Sequence, residues 1–243
     1  MEMRFLDTAK NFLESGAKLL PFSPFPPASN RAAYDGLPAE LKERLTAAGE
    51  TCLGYQYPPI YATSFMAFKR TGNRTDFEKL YFQRRYRLNS LVVAECIENS
   101  GRFLDDIING IFALCEESGW QLPPHNAYRR DQAQELLPDA TRPVLDLFAC
   151  ETGAQLGCIY YLLKEQLDAV SPVICARILD ELNRRIVTPY LSEHFWWMGR
   201  DDEPMCNWTP WCTQNVLLAA AQCAPAEDLP AYVQQAAYSI DCF

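Results

Sequence analysis

The sequence predicts an all-α protein, and three observations carry that expectation. Apolar residues recur at three- and four-residue spacing through most of the chain, alternating runs that would make half-buried strands are weak everywhere, and the periodic segments end at helix stops such as Asn99-Ser100-Gly101. With 243 residues and 49% hydrophobic content there is enough apolar surface for a substantial core.

Taken in order, Phe5 to Leu20 and Ala39 to Thr51 read as separate amphipathic helices joined by a proline-rich loop from Pro21 to Asn30. Three helical hairpins follow. The first pairs Leu88, Leu91, Val92 and Cys96 with Phe103, Ile107, Ile111 and Cys115 across the Asn99-Ser100-Gly101 turn. In the second, a helix carrying Val144, Leu147, Phe148, Leu156, Ile159 and Leu163 precedes one carrying Ile174, Ile178, Leu182 and Ile186. That helix is opened by Ser171-Pro172 and is expected to end near Pro189. The third runs Asn207 to Cys223 and Glu227 to Cys242 about the turn Cys223-Ala224-Pro225-Ala226. Hairpins recurring at such intervals suggest one domain of stacked helix pairs of the repeat or toroid kind, with residues 1–66 as N-terminal helices and loop and 67–243 as the three hairpins. An apolar edge around Val216, Leu217, Tyr232 and Ile240 is expected to be exposed and to favour a homo-oligomer.

A net charge of −9 argues against a nucleic-acid partner, since phosphate backbones need a concentrated basic surface. An anionic ligand would need local positive charge, for which Arg84-Arg85, Arg129-Arg130 and Arg184-Arg185 are the available pairs. The ten cysteines lie on apolar helix faces and read as thiols. Met1-Glu2-Met3-Arg4 lacks a secretory apolar run and no stretch reaches membrane-spanning length, so a cytoplasmic protein without a membrane partner is expected. Two histidines and no Cys-x-x-Cys pair give no metal site, and no phosphate-binding glycine loop calls for a cofactor.

Four of the five tryptophans fall between Trp196 and Trp211, mixed with His194, Asn207, Gln214 and Asn215. Indole rings beside amides suit a sugar-binding groove, in which flat rings pack on C–H groups and amides hold hydroxyls or a carboxylate; a helix–helix contact is the alternative. Two long polar connections, Trp120 to Arg142 and Glu193 to Cys206, hold the two histidines. His125 follows two prolines that fix its backbone and is accompanied by Trp120, Tyr128 and Arg129; His194 precedes Phe195-Trp196-Trp197 and reads as a second imidazole of the site or a packed one. Asn207 opens its helix, where it either caps backbone N–H groups or offers a neutral amide to a carboxylate, with Gln214 and Asn215 two turns on. Asp202 and Glu203 are the carboxylates a glycoside hydrolase would use.

The segments Gly119-Trp120-Gln121-Leu122-Pro123-Pro124-His125-Asn126, Asp146-Leu147-Phe148-Ala149-Cys150-Glu151-Thr152-Gly153-Ala154, Glu193-His194-Phe195-Trp196-Trp197-Met198-Gly199 and Asn207-Trp208-Thr209-Pro210-Trp211-Cys212-Thr213-Gln214-Asn215 together resemble the N-terminal helical part of heparinase II/III-like proteins, over roughly Ala67 to Phe243. The resemblance implies an incomplete α/α toroid followed by antiparallel β-sheet domains, and cleavage of uronic-acid polysaccharides by β-elimination. On that pattern Asn207 neutralises the uronate carboxylate, and His125 is a cleft acid/base or carboxylate-binding group. Trp208 and Trp211 face the sugar, with Trp120, Tyr128, Arg129, His194, Trp197, Gln214 and Asn215 as further substrate contacts. The family's catalytic tyrosine would follow the third hairpin, so the chain is expected to hold cleft residues but little lyase activity alone. A toroid glycoside hydrolase and a non-catalytic carbohydrate-binding or scaffolding module are the competing expectations.

Overall fold

A computed structural model describes residues 4–200 and 203–243 and is all-helical, with no strand among the described residues. The helices are α1 (Arg4–Glu14), α2 (Arg31–Asp35), α3 (Ala39–Glu50), α4 (Ala62–Thr71), α5 (Thr75–Glu98), α6 (Leu104–Cys115), α7 (Leu147–Val170), α8 (Pro172–Leu182), α9 (Thr188–Ser192), α10 (Trp208–Cys223) and α11 (Leu229–Cys242). No described helix is long and apolar enough to cross a membrane. The chain divides into two compact units, one of residues 23–117 and 158–180, the other of residues 1–22, 118–157 and 181–243.

In the first unit α5 is the central rod. Leu88, Leu91, Val92, Ala94 and Cys96 are buried along it, and Phe103, Ile107, Ile111 and Leu114 on or just before α6 pack in the same core. The turn between them is the expected one: Asn99 adopts a left-handed φ of 54° and Gly101 one of 83°. Buried Glu95 stitches it shut, accepting the Gly101 N–H at 2.9 Å and the Gln166 amide at 2.7 Å. Gly49 sets how closely α3 approaches α5, because a Cβ there would come within 2.3 Å of the Ala94 Cβ. Arg84 and Arg85 are unavailable to an outside anion. Both are buried on Glu117, at 3.1 and 2.8 Å, a shared carboxylate that offsets much of the cost of burying two adjacent cations, with backbone carbonyls taking their other N–H groups.

The second unit departs from the expected elements in two places. α1 stops at Glu14, not Leu20, because Gly16 takes a φ of 77° and ends the turn; the opposite end is capped by the Asp241 carboxylate of α11, which accepts the Phe5 and Leu6 N–H groups at 3.0 and 2.8 Å. Pro189 does not end the helix after Ser171. The chain widens into a π-turn over Asn183–Val187 and runs on through α9 with Pro189 in its first turn. A wider turn accommodates the proline ring, which would clash with the carbonyl four residues back in a regular helix. The expected apolar edge on the last hairpin is partly wrong as well. Val216 is fully buried and Tyr232 nearly so, donating to the Val187 carbonyl at 3.2 Å. Leu217 and Ile240 remain half-buried beside a groove that also carries Leu19 to Phe22.

Candidate functional site

The site lies within the second unit and is built around one buried carboxylate. Asp146, fully buried, stands just before α7 and caps it through the Ala149 N–H at 2.7 Å. Its other oxygen accepts the Leu122 N–H at 3.1 Å and lies 2.7 Å from His125 Nδ1. A carboxylate can only accept from the ring, so Nδ1 carries the proton and Nε2 of the neutral imidazole keeps its lone pair. His125 ends a short 3₁₀ turn, Pro123–His125, whose two prolines fix the backbone. Its side chain is 17% exposed.

The loop that presents His125 is held by a buried amide pair. Gln121 donates to Asn126 Oδ1 at 2.8 Å, and the Asn126 amide donates to the carbonyls of Glu135 and Leu137 at 3.0 and 2.9 Å. These bonds replace secondary structure in a long connection that would otherwise leave buried polar groups unmatched.

Rings form a continuous row through the imidazole. Trp208 meets His125 edge-on at 4.7 Å and Trp196 at 4.9 Å; Phe148 stacks on His125 at 6.1 Å and meets Trp211 at 6.5 Å. Trp211, at the end of the row, is 42% exposed. Beside it an open depression of about 490 Å³ is lined by Glu151, Asn207, Pro210, Trp211, Gln214 and Asn215. Asn207 does not cap α10 with its side chain, so its exposed amide is available to a ligand. Asn215 is less so, because it donates to the Trp211 carbonyl at 3.0 Å.

Near Trp196 a cavity of about 460 Å³ gathers Tyr128, Arg129, Arg130, Arg142, Glu193, His194, Arg200 and Glu203. Arg142 is held 4.0 Å over the Tyr128 ring and 3.1 Å from Glu193; His194 Nε2 lies 2.9 Å from Glu203. The Tyr128 hydroxyl donates to the Arg142 carbonyl at 2.8 Å, and burial, with Asp139 nearby, raises its phenol pKa.

Most of the expected substrate-facing residues are therefore brought into two neighbourhoods joined by the ring row: Tyr128, Arg129 and His194 in the cavity, and Asn207, Trp211, Gln214 and Asn215 in the depression. Trp120 and Trp197 are corrections. Both are buried core residues, Trp197 donating its indole N–H to the Leu145 carbonyl at 2.8 Å and Trp120 lying 4.7 Å beneath the Arg185 guanidinium, so neither faces a ligand. Arg184 and Arg185 are likewise engaged, both bonded to buried Glu181. Of the two carboxylates expected for hydrolysis, Asp202 lies outside the described residues and Glu203 is paired with His194. Sequence reasoning gave no individual role to Asp146 or Arg142 and took Trp196 only as one of the clustered indoles. An acid before a periodic apolar run is legible as a helix cap, but nothing in sequence places it on a histidine twenty-one positions earlier.

Among the described residues no group of three or more His, Cys, Asp or Glu side chains could hold a metal ion. No protein-family model matches the chain, and none of the curated proteins matches it.

Proposed function

We propose that this chain binds an acidic oligosaccharide along the ring row, and that it is the helical portion of a heparinase II/III-like lyase acting by β-elimination. The observation that carries the reading is the His125–Asp146 pair, a histidine of fixed tautomer set among aromatic rings. An Nε2 lone pair beside sugar-sized flat surfaces is what abstraction or return of a proton next to a uronate requires. Asn207 supplies a neutral amide for the carboxylate, whose charge must be offset before the adjacent C–H becomes acidic. Trp208, Trp211 and Gln214 contact the sugar, and the arginine-bearing cavity supplies the positive field that the overall charge of −9 does not. The succession of helical hairpins, α5 with α6 and α10 with α11, supports an incomplete α/α toroid as the architecture.

The test is incubation of the chain with a panel of uronic-acid oligosaccharides, followed by near-ultraviolet absorbance for the unsaturated product and by calorimetry for binding. Binding with little or no absorbance rise is expected, with Trp211→Ala and Asn207→Ala each weakening binding about tenfold. No binding by any uronate, or binding untouched by both substitutions, would defeat the reading. Any absorbance rise should be lost in His125→Gln while binding is kept, and elimination unchanged in that variant would remove the histidine from the chemistry.

A further inference from the structure

We infer that the ligand of the ring row carries a linear alkyl chain, taken by the apolar groove along α10 and α11; this rests on the reading that the depression beside Trp211 holds a uronate head.

The groove encloses about 840 Å³ between α10, α11 and the non-helical segment from Leu19 to Phe22, all within the second unit. Its wall on α10 is a single stripe, Pro210, Gln214, Leu217, Leu218 and Ala221, at the three- and four-residue spacing of one helix face. At 1.5 Å per residue that stripe runs about 16 Å, so the groove suits an elongated occupant. None of the described residues lining it is charged, and Tyr232 turns its hydroxyl to the Val187 carbonyl at 3.2 Å. An ion placed there would lose its water without gaining a partner, whereas a hydrocarbon chain gains from burial. Leu20 is 84% exposed and Phe22 44%, so the chain alone leaves large apolar side chains in water at the edge of the groove.

Continuity decides the occupant. Pro210 and Gln214 line both this groove and the depression of about 490 Å³ that carries Asn207 and Trp211. Within about one turn of α10 a bound molecule passes from an amide and an indole face onto hydrocarbon walls. A second copy of the chain, or an apolar peptide helix, would cover the groove and make no use of the polar end. A glycoside with an alkyl tail fills both.

The test is calorimetric titration, below the micellar concentration of each probe, with decyl β-D-glucuronide, methyl β-D-glucuronide and decyl β-D-glucoside, and with light scattering on the same samples. Decyl glucuronide should bind about a hundredfold or more tighter than methyl glucuronide, a gain that requires burial of only about four methylenes. It should also bind about tenfold tighter than decyl glucoside, a preference that Asn207→Ala removes. Leu20→Asp and Leu217→Asp should each weaken decyl glucuronide by about tenfold or more and leave methyl glucuronide as it is. Because Leu20 is so exposed, Leu20→Asp should keep the wild-type melting temperature. Equal affinity for the decyl and methyl glucuronides, or wild-type binding of decyl glucuronide by either Asp variant, would overturn the alkyl subsite and leave the uronate reading standing. Decyl glucoside bound as tightly as decyl glucuronide, and weakened in Leu20→Asp, would support the alkyl subsite and defeat the uronate head. Silence toward both decyl probes would overturn the subsite whatever the uronate oligosaccharides do. So would a dimer that both Asp variants dissolve and no decyl glycoside disperses, since the groove would then belong to a second copy.

Discussion

Replacing Asp146 probes the link between fold and site most directly, because one carboxylate caps α7, satisfies the loop and orients the imidazole. In Asp146→Ala the Ala149 N–H loses its cap, worth about 1 kcal/mol, and the Leu122 N–H is left buried without a partner, at about 1–3 kcal/mol. With the bond to His125 Nδ1 also gone, the total loss is about 3–5 kcal/mol. Asp146→Asn is more discriminating. Its oxygen keeps two bonds by facing the Leu122 N–H and His125 Nδ1–H, which turns its NH₂ onto the Ala149 N–H, so the cap is lost at a cost of about 1–3 kcal/mol while the histidine proton stays on Nδ1. Urea unfolding measures both losses, and nitrogen-detected NMR of the imidazoles reads the tautomer. The chain has only His125 and His194, so two ring systems appear and the His125 tautomer should match wild type. A loss below about 1 kcal/mol in Asp146→Ala, or a His125 proton moved to Nε2 in Asp146→Asn, would refute the reasoning.

Further outcomes follow from the same network of bonds. Asn126→Ala strips three side-chain hydrogen bonds from the 120–142 connection and should cost about 2–4 kcal/mol, with faster amide exchange around Glu135 and Leu137; protection equal to wild type would show that the amide pair does not hold the loop. Glu117→Gln leaves buried Arg84 and Arg85 without their shared carboxylate, and chemical denaturation should register a loss of about 3 kcal/mol or more. Burial raises the thiol pKa to about 11 at Cys96 and about 12 at Cys175 and Cys223. These raised values favour the folded state below the ordinary thiol range, and that contribution is lost as pH climbs from about 9 toward about 12. The melting temperature should fall across that window, and a flat alkaline profile would contradict it. At pH 8 no more than about one in a thousand of the Cys96 thiols is ionised, so iodoacetamide should label this position only after unfolding.

The sequence by itself determined that the chain is helical and where most helices turn. Helix periodicity, Asn99 and Gly101 in left-handed backbone, and Ser171-Pro172 ahead of α8 are local signals, written within a few residues of the structure they dictate. It also singled out His125, Asn207 and Trp211, because a ring or amide in an unusual neighbourhood is visible in one dimension. Tertiary structure decided which of these side chains face solvent. Trp197 and Trp211 look alike in sequence, yet one donates to a core carbonyl and the other lies open beside Asn207. It likewise decided which arginines are free: Arg85 and Arg185 went to buried carboxylates on their own unit, while Arg129 was left at the cavity. Charge pairing and burial depend on partners dozens of residues away. The approach of Asp146 to His125 is settled only when the loop from Trp120 to Arg142 folds back onto the start of α7.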